Sequence, residues 1–332
     1  MNSDEAYEYA LENGPSEYTR NIVCQDPPLA YKYARDIDKC SQRNTRKAAC
    51  EDPNYAYFYA AEVDECPRED TRKAACESSA SAYWYASDVD KSSREDTREA
   101  ACRSPEFAYK YAKDTDKKPR EDTRKAACED PEYACKYAKK VDKKPREDTR
   151  KAANKSPEYA YWYALDIDEC SREDTREAAC KDPKYAYFYA IDVDKGPRED
   201  TRQAACQNPR AAYLYAKDVD KGSREDTREA TYEDPECTYK YALNVDKHSR
   251  LDTRKAICSK SVECTYLYAM HIDKGPREDT RKAVCKDPKY AYSYAQNIDK
   301  GFHEDTYDAV LNTEYEEKYK KFVKNRVKEE IV

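Results

Sequence analysis

Residues 130–154 read DPEYACKYAKKVDKKPREDTRKAAN, and the chain rewrites this stretch with small changes about every 26 residues. The dipeptide Tyr-Ala keeps the register, at Tyr33, Tyr59, Tyr85, Tyr111, Tyr137, Tyr163, Tyr189, Tyr215 and Tyr241. One extra residue precedes Tyr268, and Tyr294 restores the step. A unit this short cannot enclose a core of its own, so neighbouring copies must bury one another. Within the quoted unit, Asp130-Pro131-Glu132 is a helix start, with Asp as N-cap, Pro in the first turn and an acid at the positive end of the dipole. Helix A then runs to about Lys143. Its Tyr133, Ala134, Tyr137, Ala138 and Val141 fall on one face at helical spacing. A turn at Lys144-Pro145 leads into a short helix B over Arg146–Ala153, whose small Ala-Ala end allows close packing on helix A.

The predicted fold is therefore all-α, an α-solenoid of about twelve stacked αα-hairpin repeats. The chain reads as a single elongated repeat domain over 1–332. Residues 1–24 form an atypical N-terminal capping repeat in which Ile22-Val23 replaces Ala-Ala. Residues 25–311 hold the regular repeats. Residues 312–332 form a C-terminal capping helix, with Tyr315, Tyr319, Phe322, Val323 and Val327 as its apolar stripe.

Composition excludes several function classes. The chain has 332 residues and a net charge of -7, with charged and hydrophobic residues at 39% each. An acidic balance argues against a non-specific nucleic-acid binder. No apolar run approaches the roughly 20 residues of a membrane span. The N-terminus lacks the basic start and apolar stretch of a signal peptide, so the expected location is cytoplasmic, with no membrane partner. Of the 15 Cys, Cys24, Cys50, Cys76, Cys102, Cys128, Cys180, Cys206, Cys258 and Cys285 share one repeat position. Stacked helices sit about 8–10 Å apart, farther than the roughly 7 Å that a disulfide allows between Cα atoms. Free thiols acting as small apolar fillers are expected.

Units such as DPKYAYFYAIDVDKGP at 182–197 resemble a short, Tyr-Ala-rich helical repeat found in proteins of tailed phages and large DNA viruses. The likeness spans nearly the whole chain. It is specific in helix A and loose in helix B. It implies fold and origin, and carries no activity with it. Two departures stand out. Where that repeat has an aliphatic residue after Val, this chain has Asp, and where it has Trp or Phe in the next turn, this chain mostly has Arg. The pairs Asp64/Arg68, Asp90/Arg94, Asp116/Arg120, Asp142/Arg146, Asp168/Arg172, Asp194/Arg198 and Asp220/Arg224 form the expected structural ion-pair ladder. The second series, Arg72, Arg98, Arg124 and Arg150, competes for the same acids.

Nothing in the sequence points to catalysis. The three histidines, His248, His271 and His303, do not repeat and stand in no nucleophile, metal or phosphate motif. No catalytic residue, cofactor or metal is expected. The recurring Asp-x-Asp places its two carboxylates about 200° apart on a helix, a poor grip for one ion. One helix A position does vary from copy to copy: Lys32, Phe58, Trp84, Lys110, Lys136, Trp162, Phe188, Leu214, Lys240, Leu267 and Ser293. It points away from the buried stripe, so Phe58, Trp84, Trp162, Phe188, Leu214 and Leu267 are candidate partner-binding residues. The competing reading is that this side packs on the neighbouring helix A. The expected function is a non-catalytic protein-binding scaffold, with a single-stranded nucleic-acid-binding repeat protein or a structural virion component as alternatives.

Overall fold

The computed structural model describes residues 1–330, with side chains through residue 326. It is all-α: the described residues contain 25 α-helices and no strand, in successive units of about 26 residues packed pairwise as hairpins. Packing divides the chain into two compact units, Met1–Glu169 and Cys170–Val332.

In the first unit, helix A of the quoted stretch spans Pro131–Tyr137 and continues as a π turn over Ala138–Asp142. The Asp130 carboxylate accepts from the Glu132 and Tyr133 N–H groups at 2.8 and 3.3 Å, as the Asp-Pro signature predicts. Helix B is Glu147–Ala153. Each core cluster combines two successive helices A with the helix B between them. Ala112, Ala127, Tyr137 and Val141 are one such cluster, backed by Tyr109 and Tyr133. The alanines set the spacing, because a side chain of one carbon lets the flanking tyrosine rings close over it.

The second unit repeats the scheme. Ala190, Ala205, Ala211, Tyr215 and Val219 form the corresponding cluster, from the π turn Tyr189–Val193, helix B Glu199–Ala205, and helix A Pro209–Leu214 with its π turn Tyr215–Asp220. The fully buried large side chains are one tyrosine per repeat, from Tyr33 through Tyr294, and finally Tyr319. Tyr319 lies on the closing helix, Glu316–Glu330, which thereby fills the place of one more helix A. Tyr315, Phe322 and Val323 pack on the same cluster; the Val327 side chain, read as part of this stripe, lies outside the described residues. At the other end Val23 is buried with Ala6 and Ala10 of the first helix, Ser3–Asn13.

From Lys39 to Lys300 each hairpin turn holds a lysine or glutamate in the left-handed region, whereas the first turn has positive φ at Gly14. Lys117 and Lys143 have φ of 53°, and Lys195 has 58° although Gly196 follows it. An L-residue there costs roughly 1–2 kcal/mol relative to the right-handed region. Lys143→Gly is therefore expected to stabilise the chain by about 0.5–1 kcal/mol in urea unfolding, despite glycine's greater freedom when unfolded. A loss of stability would show that the lysine side chain holds the turn.

Candidate protein-binding surface

Within each unit, three columns of polar contacts join neighbouring repeats. The first is the buried tyrosine. The N-cap of helix B is an arginine whose side chain does not cap, as at Arg120 and Arg146. The tyrosine of the following helix A does this work. Tyr137 Oη accepts from the Arg120 N–H at 3.0 Å, donates to the Arg120 carbonyl at 3.1 Å, and meets Thr123 Oγ1 at 2.9 Å. Tyr215 makes the same contacts with Arg198 and Thr201, and Tyr319 with His303 and Thr306. An orphan N–H at a helix start is thus satisfied from a neighbouring helix.

The second column joins successive helices A. Tyr57 donates to Asp88 at 2.7 Å, Tyr83 to Asp114 at 3.1 Å and Tyr187 to Asp218 at 3.0 Å, with Tyr31 and Glu62 paired likewise. Where Cys135 replaces the tyrosine, Lys139 reaches Asp166 at 2.7 Å instead. Burial, the hydrogen bond and the charge of the facing Asp114 together push the Tyr83 phenol up to about 12.

The third column is ionic, and its geometry differs from a simple i, i+4 ladder. Asp64–Arg68, Asp116–Arg120, Asp142–Arg146 and Asp194–Arg198 approach at 2.9, 3.0, 3.2 and 3.1 Å. Asp90 and Asp220 meet Arg72 and Arg202 at 3.5 and 3.4 Å instead of Arg94 and Arg224. Asp168 meets Arg150 at 3.3 Å, while Arg172 and Arg224 turn to Asp174 and Asp226 at 3.5 and 3.6 Å. The arginine of helix B is the more connected partner. Arg124 lies 3.7 Å from Asp142 on the next helix A and 2.7 Å from Asp148 on the next helix B. Arg72, Arg202 and Arg254 each bridge the two corresponding acids. Asp148 and its equivalents in Glu-Asp-Thr-Arg went unassigned from the sequence. Their recurrence one residue before the socket threonine was the available signal.

The two acids of this bridge titrate in opposite directions. Burial raises the Asp142 carboxyl above its ordinary 3.8, against the pull of Arg124 and Arg146. Partial burial also opposes ionisation of Asp148, but the hydrogen bonds from Arg124 and the Thr149 N–H outweigh it and hold that carboxyl below 3.8. Ionised Asp142 is thus a cost to the fold that is absent below the unfolded value and complete above the raised folded one. Asp148 contributes stability that is full above the unfolded value and fades as pH falls through the lowered folded one. Between about pH 3 and pH 6, the stability of wild type relative to Asp142→Asn should fall, and that relative to Asp148→Asn should rise. Parallel profiles in urea titrations would refute this assignment.

Against this constant frame stands the variable column. Phe58, Trp84 and Trp162 are 38%, 43% and 41% exposed. Phe58 also stacks on Tyr31 of the preceding repeat, with centroids 5.8 Å apart, so it is an inter-repeat contact as well as surface. Trp84 and Trp162 lean on Tyr83 and Tyr161, their neighbours in sequence. Phe188, Leu214 and Leu267 are half-buried, and Leu214 packs against Tyr213, Ala216 and Tyr241. Lys110 and Lys240 fold back onto Glu106 and Glu236 at 2.6 Å, and Lys136 onto Glu132. In the second unit the column deepens into a groove of about 660 Å³ between the helices Pro183–Phe188 and Pro209–Leu214, lined by Tyr187, Phe188, Ala211 and Leu214 with Lys184 and Arg210 at its rim.

The cysteine column is unbridged: all fifteen thiols are free. Burial pushes Cys50 and Cys102 up to about 12 and Cys128 up to about 11, leaving them protonated and unreactive at neutral pH.

Fold and surface define an all-α hairpin-repeat protein whose helices A carry a constant set of internal contacts and one variable position. No protein-family model, curated protein or solved structure matches the chain.

Proposed function

We propose that the chain is a non-catalytic scaffold that binds other proteins through the variable face of its helices A. The observation that carries this reading is the contrast between columns. The tyrosine, alanine, aspartate and arginine positions are occupied by internal contacts in repeat after repeat, while the outward position changes and leaves Trp84 and Trp162 over two-fifths exposed. Exposed tryptophan on a rigid helical frame is a favoured anchor for a protein partner. The fully buried tyrosines are already engaged by helix B and offer no ring to a nucleic-acid base. The proposed setting is the cytoplasm of a phage- or virus-infected cell, on the strength of the helix A resemblance.

Two measurements test the proposal. Acrylamide should quench Trp84 and Trp162 readily in the isolated protein. A photo-reactive phenylalanine analogue at position 84 or 162, expressed in the cells of origin, should cross-link to a discrete second protein. The same probe at Lys125, an exposed position on helix B, should not. Equal labelling from both faces, or from neither, would defeat the reading.

A further inference from the structure

The groove in the second unit differs in charge from the repeats that carry glutamate at the same position, and it alone sets two cations there beside apolar residues, since Lys289 stands with Ser293. In three repeats the residue two places after the helix A N-cap is a glutamate that neutralises the lysine one turn later: Glu106–Lys110, Glu132–Lys136 and Glu236–Lys240. Glu158 and Glu263 keep the acid beside Trp162 and Leu267. At the groove both members change together. Lys184 and Arg210 replace the glutamate in two consecutive repeats, and Phe188 and Leu214 replace the lysine.

The rim cations have no internal counter-charge. Among the described residues, neither Lys184 nor Arg210 has a carboxylate at ion-pair distance, and both are exposed. The Lys184 ammonium rests over the rings of Tyr185 and Phe188, at 4.8 and 5.9 Å from their centroids. The nearest acid in the groove wall, Asp182, accepts from the Lys184 and Tyr185 N–H groups at 2.8 and 3.4 Å and is committed to capping its own helix. The next repeat caps with neutral Asn208 where its sisters use Asp or Ser, and Asn208 accepts from the Arg210 and Ala211 N–H groups at 3.1 Å each. The Tyr187 hydroxyl is held by Asp218. What remains is an apolar floor under two uncompensated cations, on a chain whose net charge is -7.

We infer that this groove binds an acidic peptide segment of a partner protein, one that sets an aromatic or leucine side chain against Phe188 and Leu214 and its carboxylates against Lys184 and Arg210. The inference rests on the scaffold reading and names the chemistry of one of its sites. Complementary rim charge steers association and rejects basic segments, while the apolar anchor supplies the residence time.

The test is selection from a random linear peptide library on the immobilised full-length protein. It is repeated with two variants that copy the sister repeats and therefore suit the fold. Lys184→Glu with Arg210→Glu changes charge alone. Arg210→Glu with Leu214→Lys rebuilds the Glu–Lys pair of the repeat at 132–136. Enriched peptides should combine Asp or Glu with an aromatic or leucine residue. A fluorescent copy of the best should lose about tenfold or more in affinity with either variant, and should weaken as salt is raised. Enriched peptides that depend on Leu214 but carry no acidic excess would overturn the inference and leave the scaffold reading intact. No enrichment, or binding unchanged in both variants, would overturn the inference, with cross-linking from positions 84 and 162 deciding the scaffold reading separately.

Discussion

Tyr137→Ala is expected to cost about 3–5 kcal/mol, among the largest losses from any single substitution in the chain. The ring is fully buried with Ala112, Ala127 and Val141, where three helices of two successive repeats meet. Its removal leaves a cavity that short helices on both sides cannot close. Tyr137→Phe separates the ring from its hydroxyl. It strands the Arg120 N–H, and it takes from Thr123 one of its two partners, the other being the Arg120 carbonyl at 3.3 Å. An unsatisfied buried donor costs about 1–3 kcal/mol, so the phenylalanine variant should recover roughly half of the alanine loss. Thr123→Val should cost less than Tyr137→Phe, because the Tyr137 hydroxyl keeps both Arg120 contacts, and should add little to it, because both touch one network. Urea unfolding followed by circular dichroism gives the values; a repeat protein that loses two-state behaviour needs a nearest-neighbour treatment instead. A phenylalanine variant as stable as wild type would mean that the hydroxyl is incidental and that ring packing alone makes the socket.

That socket also marks the limit of what the sequence alone discloses. The repeat, the Asp-Pro caps, the buried stripe and the free thiols are local or periodic signals, and each is visible in a single copy or by comparing copies. Tyr137 capping Arg120 joins positions 17 residues apart, so no window reading one helix contains both. The threonine 14 residues before most of the buried tyrosines gave a usable hint, since Thr123, Thr149 and Thr201 recur in step with Tyr137, Tyr163 and Tyr215. The turn itself was legible, but the left-handed residue within it was not: Lys195 adopts that conformation although Gly196 follows it. The variable column was legible as variation. Its double character, part surface and part stacking, needed coordinates, because Phe58 reaches Tyr31 across a repeat boundary.

The ion pairs carry the second large effect, and they separate two arginines that look equivalent in sequence. Arg146 stands four residues after Asp142 and is 35% exposed as a side chain, whereas Arg124 is 13% exposed and touches two acids. Water screens the first and barely reaches the second, so Arg146→Ala should cost under about 1 kcal/mol. Arg124→Ala should cost about 3 kcal/mol, the lower end for breaking a buried pair because Arg146 remains beside the carboxylate. It strips a hydrogen-bonded partner from Asp148 and leaves the fully buried Asp142 side chain with one cation, the more exposed Arg146 at 3.2 Å. The origin of that loss is separable. If the stranded Asp142 charge dominates, Asp142→Asn in the Arg124→Ala background should restore most of the stability, and it should do so at pH 7 and not at about pH 3, where the carboxyl is already protonated. If the lost bridge to Asp148 dominates, the asparagine will restore nothing at either pH, while Asp148→Asn alone will reproduce the damage. Strict additivity of Arg124→Ala with both Asp142→Asn and Asp148→Asn would dismiss the ionic coupling between these successive repeats. The register of the stack would then rest on the tyrosine sockets and the alanine spacing.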